Sequence, residues 1–187
     1  MRQPRQRHYV NPKEPGITAF ISTTVLDFVH AFRRDDPRDA MVAFISKHCR
    51  RTRAILHAYV VMPHHVHLLI RLPEAMNVSY FMNQFKSDSG DALLPILTRE
   101  ERRLFDQQRT LNGNTFWQRS FRALKVQGQY MFDQKVDYIH RNPIEAEYVE
   151  AAEDYRWSSA RLRSEGVWRE ESGIPYESVF HSLRPRT

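Results

Sequence analysis

One cysteine, Cys49, occurs among the 187 residues. A lone cysteine excludes an internal disulfide and any cysteine-built zinc cluster within one chain, and Cys49 is expected to pack in a helix. Glycine is also scarce, with six in all, which argues against a loop-rich or repeat architecture. No apolar run approaches the roughly 20 residues of a membrane-spanning helix. The start, Met1-Arg2-Gln3-Pro4-Arg5-Gln6-Arg7, is basic and leads into no apolar signal core. These absences predict a cytoplasmic protein with no membrane partner. Acidic residues are the minority charge: 22 Asp plus Glu against 28 Lys plus Arg leave a net charge of +6. A basic domain reads first as a nucleic-acid binder, the alternative being a basic but solvated surface. With 41% hydrophobic and 27% charged residues, the composition fits one globular domain with a core of ordinary size.

Against this background stands the run Met62-Pro63-His64-His65-Val66-His67-Leu68-Leu69-Ile70. If it is a strand from His65 to Arg71, side chains alternate faces, and His65 and His67 point the same way about 7 Å apart. Two imidazoles so placed suit two ligands of one metal ion, although two strand histidines that bind nothing would read the same. His64 then points to the other face and is not counted as a ligand.

The remaining pattern supplies the elements. Residues 17–25 are β-branched and aromatic and read as a strand. Asp36-Pro37 is expected to cap and open a helix over 37–52, followed by strands at 54–61 and 65–71 separated by a break at Pro63. Val78, Phe81, Met82 and Phe85 predict a helix over 77–96. Thr98-Arg99-Glu100-Glu101 fits a capping box opening a short charged helix to about 109. Asn112-Gly113-Asn114 reads as a turn, 121–126 as a strand, and 129–141 as a last helix with Phe132, Val136 and Ile139 buried and Pro143 stopping it. The order βαββαβ predicts an α+β fold, a ferredoxin-like antiparallel sheet with helices on one face and a tyrosine-bearing helix added. The divisions are a basic arm at 1–16, the domain at 17–145 and a C-terminal extension at 146–187.

Tyr138 and Asn142 lie four apart and share a face of the last helix. The Asn142 amide oxygen is a hard donor suited to Mg²⁺ or Mn²⁺; the competing role for this residue is a helix C-cap before Pro143.

Together these pieces resemble the single-tyrosine HUH transposases. His65-Val66-His67 is similar to the HUH motif, and Tyr138-Ile139-His140-Arg141-Asn142-Pro143 to the family's tyrosine helix. Phe116-Trp117-Gln118-Arg119-Ser120-Phe121 and Tyr155-Arg156-Trp157-Ser158-Ser159 resemble the segments before and after that helix, in the family's order. The closest subgroup is the REP-associated tyrosine transposases. The sequence departs from the pattern at His64, where relatives often carry asparagine, and in the long, charged segment 88–114.

The resemblance implies a metal-dependent endonuclease and strand transferase acting on single-stranded DNA, with a hairpin beside the cleavage site. His65, His67 and Asn142 would hold Mg²⁺ or Mn²⁺, and Tyr138 would be the nucleophile, forming a 5′-phosphotyrosine. Lys86, Arg119, Arg122 and Lys125 are candidates for DNA backbone contacts, and monomer and homodimer are both compatible with the family. Two other readings stay open. One is a non-catalytic nucleic-acid-binding module on the same fold. The other, which lacks a carboxylate at zinc-ligand spacing, is a hydrolase of small phosphoesters.

Overall fold

The computed structural model describes residues 10–106 and 116–164. The turn read at 112–114, the end of the charged helix, the start of the basic arm and the tail after 164 lie outside the described residues. Among those described, no helix is long and apolar enough to cross a membrane.

The strands are β1 (Thr18–Thr24), β2 (Ile55–Met62), β3 (His65–Arg71) and β4 (Arg122–Lys125); the helices are α1 (Asp35–Thr52), α2 (Val78–Leu93), α3 (Arg99–Asp106), α4 (Gly128–Glu145) and α5 (Ser159–Ser164). The sheet is antiparallel throughout, in the order β2-β3-β1-β4. This is the ferredoxin-like arrangement predicted from the element order.

Alternation along the strands sorts their side chains into two cores. Ala19, Ile21, Val66, Leu68 and Ile70 bury one face of the sheet against Met41, Val42 and Ile45 of α1 and Phe81, Met82 and Phe85 of α2. Ala58, Val60, Met62 and Leu69 form the other face, against Val136 and Ile139 of α4 and Tyr155. The two helices of the βαββαβ unit share one face of the sheet as expected, and the added helix α4 covers the other. The added helix packs on the opposite face because β2 and β3 are apolar on both sides, and neither side can be left to water. A register shift between Leu56 and Ala58 turns Leu56 toward the first core and Ala58 toward the second.

Three element ends differ from the sequence reading. α1 begins at Asp35 behind Arg34, so Asp36 is not its cap. Proline is tolerated anywhere in a first turn, whose N–H groups lack helical partners anyway. Arg34 also grips α3, donating from Nε to Glu101 Oε1 at 3.1 Å and from Nη2 to Glu101 Oε2 at 3.1 Å. The 77–96 helix ends at Leu93 and tightens into a 3-10 turn over Leu94–Ile96, with Pro95 within it. Pro143 does not stop α4, which runs to Glu145 with the proline buried inside. So near the end the missing N–H costs one intrahelical bond, to the Ile139 carbonyl. The ring meanwhile adds to the buried stripe with Val136 and Ile139. The capping box is as read: Thr98 N–H donates to Glu101 Oε2 at 2.8 Å and Glu101 N–H to Thr98 Oγ1 at 3.2 Å.

Both sheet edges are covered, which blocks pairing with other chains. Val61 N–H donates to the Trp157 carbonyl at 2.9 Å and Tyr59 N–H to Ser159 Oγ at 3.0 Å, closing the β2 edge. At β4, Ala123 N–H donates to Asn11 Oδ1 at 2.8 Å.

In the α1–α2 core, His48 is held among Phe44, Phe81 and Phe85. Burial, with the neighbouring Arg51 charge adding to it, pulls its imidazole down to about 4. The unfolded chain takes up a proton that the folded chain refuses. The contribution is complete above the ordinary value of 6.5 and is lost as pH falls from there toward about 4. After allowance for screening it is on the order of 1–3 kcal/mol. His48→Phe is expected to flatten the fall in stability between pH 6.5 and 4 in denaturant titrations; an unaltered slope would show that His48 does not contribute to it.

Candidate active site

β3 pairs with β1 so that His65 faces Thr24 and His67 faces Ser22. Ser22 in turn faces Arg122 across β4. Directly opposed residues share a face. His65, His67, Ser22, Thr24 and Arg122 therefore lie on the α4 side of the sheet.

The helix meets the histidines in register. The Tyr138 ring stands 5.3 Å from His67 and 5.5 Å from Phe20, centroid to centroid. Asn142 Oδ1 lies 3.4 Å from His65 Nε2. Four residues of helix advance about 6 Å and two residues of strand about 7 Å, so the pairs Tyr138–His67 and Asn142–His65 match when α4 runs against β3. Ile139, between them, is fully buried and fixes the helix height. Asn142 is inside the helix rather than at its cap, which frees its amide for the site.

Burial first, and the neighbouring histidine second, pull His65 down to about 4 and His67 to about 3. Both imidazoles are thus neutral at pH 7, the form that binds metals. The rings are 4.7 Å apart, and buried His67 Nδ1 has no hydrogen-bond partner. The 3.4 Å between His65 Nε2 and Asn142 Oδ1 is close to the roughly 3 Å between adjacent ligands of an octahedral ion with bonds near 2.1 Å. Among the described residues no group of three or more His, Cys, Asp or Glu could hold a metal. Two neutral imidazoles and an amide oxygen are the donors this face offers, and their chemistry would suit a hard divalent cation with positions left for water and phosphate oxygen.

The four basic candidates separate. Arg122 lies exposed on the histidine face, and Arg119 is exposed in the segment leading into β4. Lys125 is opposite Ala19, on the other face, and is ion-paired with Glu14 at 3.5 Å. Lys86 donates to the carbonyls of Gln118 and, at 2.9 Å, Arg119, and burial pulls its ammonium down to about 8. It clamps the segment entering β4. Lys135 was not foreseen: its Nζ lies 5.9 Å from the Tyr138 ring centre and 5.4 Å from that of Phe20. Its position one turn before Tyr138 was a usable signal. Of the other tyrosines, Tyr155 is buried, donating to the Val61 carbonyl at 2.9 Å and packing on Trp157.

A strand-borne histidine pair facing a helix-borne tyrosine, on a ferredoxin-like sheet, defines the single-tyrosine HUH transposase class. Residues 28–142 match the family described as transposase IS200 like, and the chain belongs to that family. A REP-associated tyrosine transposase of Haemophilus influenzae is 29% identical over 107 residues, covering 54% of this chain and 56% of the relative; the chain thus matches about half the length of that relative. A solved REP-associated tyrosine transposase bound to a REP hairpin shares the fold, with a TM-score of 0.56, 22% identity and coverage of 91% of this chain and 90% of that one. A Deinococcus radiodurans R1 structure assigned as a transposase gives a TM-score of 0.44 at 20% identity, over 73% of this chain and 95% of its own.

Two outcomes test this geometry. His65→Ala and Asn142→Ala should each weaken Mn²⁺ binding by at least roughly the 10–100-fold that loss of a supporting outer-shell group costs, read as free Mn²⁺ by electron paramagnetic resonance; affinity equal to the parent's would place the ion elsewhere. Lys86→Met should cost about 1–3 kcal/mol of stability by leaving two carbonyls without their donor. Unchanged stability with weakened DNA binding would instead make Lys86 a phosphate contact.

Proposed function

We propose that this protein cleaves and rejoins single-stranded DNA by transesterification at Tyr138. The observation that carries the reading is that one face of α4 brings a tyrosine and an amide oxygen against a neutral histidine pair, His67 buried and His65 half-buried. His65, His67 and Asn142 would hold Mg²⁺ or Mn²⁺, which when bound would polarise a phosphate and offset charge on its oxygens. Tyr138, whose side chain sits against His67 yet remains 42% exposed, can be approached by a DNA strand from the open side. Its hydroxyl oxygen attacks phosphorus, the bond from phosphorus to the 3′-oxygen breaks, and that oxygen leaves as a hydroxyl, having gained a proton. The phenol proton goes to solvent. The product is a 5′-phosphotyrosine, which conserves the ester bond so that another 3′-hydroxyl can displace the tyrosine without ATP. Lys135 adds positive charge beside the tyrosine ring, where a phosphate would arrive. Exposed Arg119 and Arg122 serve the DNA backbone.

The substrate we infer is single-stranded DNA adjoining a hairpin. Its support is family membership, together with the REP-associated transposases among the similar proteins, one of them solved on a REP hairpin.

Tyr138→Phe should abolish the covalent protein–DNA adduct seen on a denaturing gel with a hairpin-bearing oligonucleotide and Mn²⁺, while affinity changes little. A persisting adduct would move the nucleophile to another residue. DNA binding with no adduct from the unaltered protein would instead favour a binding module without catalysis.

A further inference from the structure

Beside the histidine row, on the same face of the sheet, lies a cleft of about 320 Å³ with Ser22, Thr24, Phe28, Gln118, Ser120 and Arg122 among its walls. Thr24 and Ser22 are the direct cross-strand partners of His65 and His67, so the cleft floor is one strand spacing, about 4.8 Å, from the metal-ligating pair. A strand whose phosphate reached the histidines would bring its adjoining nucleotide here.

Phe28 sets this cleft apart. Its side chain is a large apolar ring left 61% exposed. Its backbone and that of Asp27 are both left-handed, with φ of 58° and 49°, a conformation that costs a bulky residue free energy. The surrounding chain enforces it. Val25 N–H donates to the His64 carbonyl at 2.8 Å, Leu26 N–H to the Phe116 carbonyl at 3.0 Å and Gln118 N–H to the Thr24 carbonyl at 2.9 Å. The turn is thus pinned on one side to the histidine motif and on the other to the segment entering β4. Burial does not explain a strained turn that holds an aromatic ring out toward solvent. His64 lies 5.8 Å from the Phe28 ring and stacks on His30 at 5.3 Å with 16° between the planes. The cleft is therefore lined by an aromatic ring, by amide and hydroxyl side chains and by the exposed residue Arg122.

We propose that this cleft takes one unstacked DNA base next to the scissile phosphate, stacked on Phe28 and read at its edge by Gln118 and Ser120, with Arg122 on the adjoining phosphate. The base is held because every base offers a π-face to an aromatic ring. It is discriminated because amide and hydroxyl groups can match or mismatch its donors and acceptors. The inference rests on the DNA substrate proposed above, but its test does not require cleavage.

The probes are a DNA hairpin with a randomised single-stranded flank and the same hairpin without it. Phe28→Ala should lower affinity for the flanked hairpin roughly 5- to 100-fold, the range for loss of one base–aromatic stack. Phe28→Trp should retain it, and the unflanked hairpin should bind all three proteins alike. Gln118→Ala should change which base is enriched in the bound pool at a single flank position. Unchanged affinity of Phe28→Ala for the flanked hairpin would overturn the subsite, as would equal binding of both hairpins by the unaltered protein. The same bound pool from Gln118→Ala and the unaltered protein would overturn the edge reading. Phe28-dependent binding without any covalent adduct would overturn the Tyr138 chemistry and leave the subsite standing.

Discussion

Burial of both faces of the central strands is the constraint on which this structure depends. β3 lies between β2 and β1, and its residues alternate between two cores. Val66, Leu68 and Ile70 satisfy the α1–α2 side, which leaves Leu69, His67 and His65 as a second stripe that water cannot be allowed to cover. α4 closes that stripe with Val136, Ile139 and Pro143. Its docking excludes water from the imidazoles and holds them neutral. The same contact that completes the second core therefore holds the histidine pair neutral and sets Tyr138 against it.

Precise docking of α4 is enforced from behind. His140 Nε2 lies 2.8 Å from Ser159 Oγ, which also accepts the Tyr59 N–H. Tyr155 and Trp157 fill the space between the helix, β2 and α1, where Asp39 accepts from Trp157 Nε1 and Arg156 Nη2 at 2.8 Å each. The segment after the tyrosine helix thus positions it, through the outer edge of β2 that it closes. A half-turn rotation of α4 would remove both Tyr138 and Asn142 from the histidines, so these distant contacts bear on the chemistry.

Positive charge alone says little about this surface. Lysines and arginines meet different fates: Lys86 is spent on two carbonyls, Lys125 on Glu14, and Arg122 lies exposed beside the histidine row. The strand period of two explains the last contrast, since Arg122 and Lys125 differ by an odd number of positions and face opposite ways.

Local chemistry made much of this legible in the chain. The order of elements along the chain, the capping box at Thr98, the shared direction of His65 and His67, and the common helix face of Tyr138 and Asn142 follow from side-chain periods of 2 and 3.6 and from hydrogen bonds spanning four residues or fewer. Motif order carried the resemblance from there to a family. What the chain could not state was which face of the sheet α4 would cover, that Pro143 would be swallowed by the helix, or that the Phe28 turn would adopt left-handed backbone beside the site. Each of these depends on residues far apart in sequence competing for the same buried surface, as Phe28 is held by contacts reaching His64 and Phe116. The chain encodes the alternating patterns, but only packing decides which of two equally apolar faces, and which strained turn, satisfies them together.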